Sequence, residues 1–256
     1  MYRRAIVRPP SENLADGLTT VDLGVPDVAK ALEQHARYCD ALERCGLALV
    51  RLPPDPRFPD ATFVEDTAVL TPRGGILTRP GAPSRAGEVA AIEEALAPFF
   101  PRLARIVAPG TVDGGDICEA GDHFFIGVSE RTNAEGALQL ARHVAALGYT
   151  SAEVDIRSVS GILHLKSGIA AVSGRRLALI EPLAGHPAFR GWDVIAVESA
   201  ERYAANCVRV NDAVLVAAGY PKFAAAIRGL GLTAIELAMS EFEKMDGGLS
   251  CLSLRF

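Results

Sequence analysis

The sequence predicts an α/β fold in which similar units close into a ring, and three observations carry that expectation. One order of segments recurs at a spacing of roughly forty to fifty residues, which signals radial or solenoid repetition. One unit is split between the two ends of the chain, so pairing the last strand with the first leaves no open edge. Each unit also carries a polar turn, and in a ring such equivalent turns converge near the axis.

The elements follow from local pattern. Met1-Tyr2-Arg3-Arg4-Ala5-Ile6-Val7 is strand-like from the start. The stretches ending at Gly46, Gly148 and Gly231 each read as a helix end, a glycine stop and a strand. Glycine closes a helix well because it takes left-handed backbone angles without a Cβ clash. Before each helix a hairpin ends in a turn: Thr78-Arg79-Pro80-Gly81, Ser129-Glu130-Arg131 and Gly219-Tyr220-Pro221. Each unit therefore reads strand, strand, helix, strand. Four units centre near Asp66, Asp116, His164 and Cys207. The fifth joins a C-terminal strand over residues 249–256 to residues 2–52. The His164 unit is the least regular, with Gly185-His186-Pro187 where a helix is due. A generic α/β sheet is the competing architecture. No low-complexity linker interrupts the chain, so residues 1–256 are expected to form one domain.

Composition narrows the function. Hydrophobic residues make up 49% and charged residues 22%, enough for a sizeable core. A formal charge of -5 argues against a nucleic-acid binder, which needs a basic face. No apolar run reaches membrane-span length, and the N-terminus lacks a signal-peptide core. Cys39, Cys45, Cys118, Cys207 and Cys251 are scattered and contain no CxxC pair. They suggest neither a disulfide framework nor a zinc site, and a cytoplasmic setting is expected.

The turns carry the chemistry. Asp60, Glu65 and Asp66 stand within one short stretch beside the apolar Ala68-Val69-Leu70. Carboxylates beside a core strand are costly unless they meet a cation, from an internal arginine or from a ligand. Asp113-Gly114-Gly115-Asp116 suggests a tight turn holding both carboxylates, without the spacing of a calcium loop. His164 sits in an apolar setting, Asn206-Cys207 places an amide and a thiol at the equivalent point, and Cys251 follows Gly247-Gly248. The plain reading of Cys251 and His164 is core packing. Taken together, Cys, His and Asp are the parts of a thiol nucleophile, a proton shuttle and an orienting acid. The extra carboxylates suit a cationic electrophile such as a guanidinium, whose fork of N–H donors pairs with them.

At these residues the chain resembles the dimethylarginine dimethylaminohydrolases of the guanidino-modifying superfamily. The marks are Phe58-Pro59-Asp60, Phe63-Val64-Glu65-Asp66, Gly81-Ala82-Pro83-Ser84-Arg85, Gly110-Thr111-Val112-Asp113-Gly114-Gly115-Asp116, Arg131-Thr132-Asn133, His164-Leu165-Lys166 and Asp246-Gly247-Gly248-Leu249-Ser250-Cys251. They span essentially the whole chain. The resemblance implies the pentein fold, a five-bladed α/β propeller of ββαβ units. It implies hydrolysis of N-omega-methylated arginines to citrulline and dimethylamine or methylamine, without metal or organic cofactor. It makes Cys251 the nucleophile, His164 the general acid and base, and Asp113 the residue that orients the histidine. It sets Asp60, Glu65 and Asp66 around the substrate guanidinium and the turn that holds it, Arg85 and Arg131 at the substrate α-carboxylate, and the backbones of Leu18 and Met245 against the substrate. Asp22, on the same lid as Leu18, matches no role in that chemistry.

Arginine deiminases are the nearest rival. They carry an aspartate two residues after the histidine, where this chain has Lys166. A non-catalytic pentein module gives no reason for Cys251, His164 and Asp113 to occur together. A generic cysteine amidase leaves the acidic turn unexplained. The amphipathic helix over residues 28–42 serves core or homodimer contacts equally well.

Overall fold

The first strand of the chain pairs with the last. In the computed structural model, which describes residues 1–256, β1 (Arg4–Val7) lies between the C-terminal strand Leu254–Arg255, antiparallel, and β2 (Ala48–Arg51), parallel. Helix α1 (Val28–Arg44) makes the crossover from β1 to β2. The other units repeat this plan without the break. They are β3 (Ala68–Thr71), β4 (Gly74–Leu77), α2 (Glu88–Leu96) and β5 (Leu103–Arg105); then β6 (Ile117–Ala120), β7 (His123–Val128), α3 (Ala134–Ala146) and β8 (Thr150–Asp155). Next come β9 (Ile169–Ser173), β10 (Arg176–Ile180), α4 (Glu181–Ala184) and β11 (Asp193–Val197); then β12 (Val208–Val210), β13 (Ala213–Ala217), α5 (Pro221–Gly229) and β14 (Thr233–Leu237). A short α6 (Ser240–Glu243) precedes the final strand, β15 (Leu254–Arg255).

Every unit forms its own three-stranded sheet, with an antiparallel hairpin followed by a parallel crossover. This is the five-bladed α/β propeller of the pentein fold, and the split unit closes it. The helices cap as their sequences suggest. Asp27 and Asn133 accept backbone N–H groups at the starts of α1 and α3. Gly46 and Gly148, just beyond those helices, have φ of 89° and 82°. Apolar clusters fill the spaces between blades, the largest around Phe125, Leu177, Leu179 and Val214. No helix is long and apolar enough to cross a membrane.

The C-terminus departs from expectation. A continuous strand over 249–256 is replaced by a 3-10 turn at Ser250–Leu252 and a strand of only Leu254–Arg255. The reason lies in the repeat, since such a turn leads into the first strand of every unit: Val64–Thr67, Gly114–Asp116, Leu165–Ser167 and Ser199–Ala205 are its counterparts. The irregular His164 unit has a short α4 and a 3-10 turn, Pro187–Phe189, where the other units have a longer helix.

Candidate active site

The first strands of the five units line an axial cavity of about 450 Å³. On the other side of the ring of turns lies a second cavity of about 20 Å³, room for roughly one water. Its walls are Leu18, Asp60, Phe63, Asp66, Arg85, Arg131, Leu163, His164, Met245, Asp246, Gly247 and Cys251. Eight residues singled out in the sequence therefore meet there: Leu18, Asp60, Asp66, Arg85, Arg131, His164, Met245 and Cys251. Asp113 stands behind His164, fully buried, with its Oδ2 3.0 Å from the imidazole Nε2. Its Oδ1 accepts the Gly81 N–H at 2.8 Å, which fixes the carboxylate.

Glu65 faces the other way. Its carboxylate lines the axial cavity and is engaged by Ser250 Oγ at 2.6 Å, Lys166 Nζ at 2.5 Å and Arg255 Nη2 at 3.4 Å. Of the guanidinium and the turn that holds it, Glu65 lies beside the turn: it supports the segment that carries Cys251, from behind the small cavity. The cause is local geometry, because neighbours in a tight turn diverge, so Glu65 and Asp66 point to opposite sides.

The two arginines also differ. Arg85 is buried and donates to Glu88, to Asp66 at 2.5 Å, and to the carbonyls of Asp60 and Phe63. Arg131 makes only a loose ion pair with Asp113, at 3.9 Å.

Glycines let the turns close. A Cβ on Gly115 would stand 2.6 Å from His164 Nδ1, one on Gly247 2.3 Å from the Phe63 ring, and one on Gly248 2.5 Å from the Asn206 amide carbon. Leu18 forms part of the cavity wall, and the residues after it are tied down beside it. The Leu18 N–H donates to both oxygens of Asp60, at 3.1 and 3.2 Å. Thr20 donates from its N–H and its hydroxyl to the Asp246 carboxylate, and Thr19 Oγ1 donates to the Lys244 carbonyl at 3.0 Å. Asp246 adopts φ of 56°, uncommon for a residue with a side chain. Asp22 makes no contact with the cavity wall and is exposed.

The electrostatics are dominated by buried charge. Burial alone would lower the His164 imidazole, but the charge of Asp66, the hydrogen bond it donates to Asp113 and the charge of Asp116 raise it to about 9. Asp66, Asp113 and His164 bring ligand-type atoms within 4.8 Å of one another, the geometry of an imidazolium held between carboxylates. Burial also works to raise Asp66, but Arg85, His164 and the Gly115 N–H outweigh it and bring the group down to about 2. The Cys251 thiol is pushed up to about 12 by burial and by the charges of Glu65 and Asp66, against the Gly248 N–H and Lys166. At neutral pH the resting pair is thus a thiol and an imidazolium.

Phe63, Leu163, Asp246 and Gly247 complete the wall and were not among the expected site residues. Phe63, Asp246 and Gly247 stand within the stretches that carry the family resemblance, whereas Leu163 had no signal beyond its place next to His164.

No protein-family model matches the chain. It is 47% identical over 257 residues, with full coverage of both chains, to the N(G),N(G)-dimethylarginine dimethylaminohydrolase of Pseudomonas aeruginosa. It is 37% identical to that of Streptomyces coelicolor, across 99% of this chain and 96% of the relative. A Pseudomonas aeruginosa structure, a cysteine-to-serine variant complexed with citrulline, superposes with a TM-score of 0.96 at 46% identity over the full length of both chains. The N-terminal domain of the cyanobacterial arginine dihydrolase ArgZ, at 18% identity and a TM-score of 0.86, shares the fold over 100% of this chain and 97% of that one.

Proposed function

The chain belongs to the dimethylarginine dimethylaminohydrolase family, and from that membership we infer that it hydrolyses N-omega-methylated arginines to citrulline and a methylamine, with Cys251 as nucleophile. The observation that carries the residue assignment is the meeting of Cys251, His164, Asp66 and Arg131 on one small cavity, with Asp113 behind the histidine.

The substrate guanidinium lies against Asp66 and Asp60, and its α-carboxylate meets Arg131, the guanidinium with free N–H donors. Arg85 adds its charge from behind. The lid backbone at Leu18 and the Met245 backbone close over the amino-acid end. The thiol needs help to ionise, and a cationic substrate beside it supplies that help by offsetting Glu65 and Asp66, so that the thiol proton is released to solvent. The thiolate then attacks the guanidinium carbon and a C–S bond forms. His164 gives its proton to the departing amine as the C–N bond breaks, since the amine leaves poorly as an anion. Nε2 is committed to Asp113, so the proton moves through Nδ1. A cationic thiouronium remains. His164, now neutral, takes a proton from water, and the hydroxyl adds to the same carbon. The C–S bond breaks as the hydroxyl proton passes to the leaving sulfur, which completes the ureido group of citrulline and restores the thiol and the imidazolium. Asp113 holds the ring in place through both steps.

A deiminase acting on unmethylated arginine is the second reading. Lys166 weighs against it, because the His164 turn sends a lysine into the axial cavity in place of a second carboxylate toward the substrate. We read residues 1–256 as a single catalytic domain, and five free cysteines suit a cytoplasmic enzyme. The test is citrulline release from asymmetric dimethylarginine and from arginine, before and after alkylation by a cationic amidine. Preference for arginine would favour the deiminase, and turnover surviving stoichiometric alkylation of Cys251 would remove the nucleophile.

A further inference from the structure

We propose that Asn206 is a positioning residue for the reaction, the tie that sets the turn bearing Cys251 against the turn bearing His164. The inference rests on the assignment of those two residues above. Asn206 belongs to a different blade from either and does not line the substrate cavity.

Its side chain is buried, 7% exposed, and every polar group on it is used. The amide oxygen accepts the Ser250 N–H at 2.9 Å, one residue before Cys251. The amide nitrogen donates to the Lys166 carbonyl at 3.1 Å, two residues after His164, and to Ser250 Oγ at 3.2 Å. Ser250 Oγ donates onward to Glu65, which pairs with Lys166. Asn206 thus links the turn before β12 with the turns before β9 and β15. The hydrogen-bonded circuit of Asn206, Ser250, Glu65 and Lys166 joins residues next to Cys251 and Asp66 and close to His164 in sequence, all three of which line the substrate cavity.

Only a planar group with a donor and an acceptor on one carbon satisfies both backbones. Aspartate keeps the acceptor but sets a carboxylate oxygen against the Lys166 carbonyl. Serine is too short to span the gap. The site is also built around the amide from the other side. Gly248 is not in the left-handed region, yet a Cβ there would stand 2.5 Å from the Asn206 amide carbon. The second glycine of the Gly247-Gly248 pair is accounted for by Asn206, not by the substrate.

Displacement of a nucleophile or acid by about 1 Å costs on the order of a hundredfold in rate, so loss of the tie acts on turnover more than on binding. Asn206→Ser and Asn206→Asp are compared with wild type for kcat and KM on asymmetric dimethylarginine, for the pH dependence of Cys251 alkylation by iodoacetamide, and for Tm. Both variants are expected to lose about ten- to a hundredfold in kcat, with KM within about threefold of wild type. Asn206→Asp, which adds a negative charge near the thiol, also moves the alkylation profile to higher pH, and Asn206→Ser does not. A kcat within twofold of wild type in both folded variants overturns the proposal. So does a loss that merely tracks the unfolded fraction, with an unmoved alkylation profile in Asn206→Asp. Cys251→Ser and His164→Ala run alongside separate the two readings. Turnover retained by either control sinks the catalytic assignment, whereas dead controls beside active Asn206 variants sink only the positioning role.

Discussion

The substrate cavity and the axial cavity share one ring of turns but not one chemistry. On one side, about 20 Å³ is enclosed by His164, Cys251, Asp66 and a lid fastened to Asp60 and Asp246. On the other, about 450 Å³ lies among the first strands, with Glu65, Lys166, Ser250 and Arg255 facing into it. Pairs of near neighbours in sequence divide between the two: Asp66 from Glu65, Cys251 from Ser250, His164 from Lys166. Each tight turn sends one residue to the chemistry and another to the scaffold beneath it. The small cavity has no room for an amino acid while the lid is down, so substrate entry requires the Leu18–Asp60 and Thr20–Asp246 contacts to open.

If the sides are distinct, substitutions on the substrate side should dominate turnover. Cys251→Ser is expected to lower kcat by at least about 10⁴-fold with the fold intact, because serine is nearly isosteric but a far weaker acid and nucleophile. Citrulline assays beside a thermal melt check this. His164→Ala should cost about 10²–10⁴-fold. Alkylation of Cys251 by a cationic amidine should continue in that variant, since bond formation to sulfur does not need the leaving amine to be protonated. Wild-type turnover by the His164 variant would remove it from the mechanism.

The His164 imidazole also predicts how stability varies with pH. Its folded value, about 9, lies above an unfolded value of about 6.5. The stabilisation is therefore complete below about pH 6.5 and is lost progressively as pH rises through about 9. Melts between pH 6 and pH 10 should show that fall in wild type and a flatter profile in a folded His164→Gln variant. Parallel profiles would mean the imidazolium is not what stabilises the carboxylate cluster.

The arginines give a smaller and more selective effect. Arg131→Lys should weaken the specificity constant for dimethylarginine by about ten- to a hundredfold, the value of one charge-assisted hydrogen bond of about 1.5–3 kcal/mol. It should hardly touch the reaction of a small amidine that lacks a carboxylate. Arg85→Lys should instead reduce stability, because lysine cannot reproduce the fork that holds Asp66, Glu88 and two carbonyls. Kinetics with both substrates, together with Tm, separate the roles; equal losses for both substrates in Arg131→Lys would count against the carboxylate contact.

Much of the fold was legible because its rules are local. Glycine stops and hairpin turns mark each unit, and a strand at either terminus implies closure. Of the residues that meet at the small cavity, Asp60, Asp66, His164 and Cys251 stood out as polar groups in turns beside apolar strands, whereas Leu18, Arg85, Arg131 and Met245 were named only through the family resemblance. Which way each points was not legible. Glu65 and Asp66 are the same kind of acid in the same turn, and only the turn's geometry sends one to Ser250 and the other to Arg85. The C-terminal strand was overextended because Leu249 to Phe256 alternates in size, and alternation does not distinguish a strand from a 3-10 turn entering one. Asn206 was visible as an amide at an equivalent turn, but its partners lie 40 and 44 residues away.

The smallest effect asks whether the two sides communicate at all. Glu65 does not line the small cavity, yet its charge helps push the Cys251 thiol up to about 12. Glutamine at this position keeps an oxygen to accept from Ser250 Oγ, so the turn under Cys251 should hold its place. What disappears is a negative charge, leaving Lys166 and Arg255 without their partner. Both changes favour the thiolate. Glu65→Gln should therefore react with iodoacetamide at Cys251 about tenfold faster than wild type near pH 8, roughly the effect of 1.4 kcal/mol on ionisation. KM for dimethylarginine should stay close to wild type. Alkylation followed by mass spectrometry across pH 6–10, with Tm as a control for folding, makes the comparison. An unchanged rate would mean the partition insulates the thiol from the axial cavity. A raised KM with unchanged alkylation would return Glu65 to the substrate side.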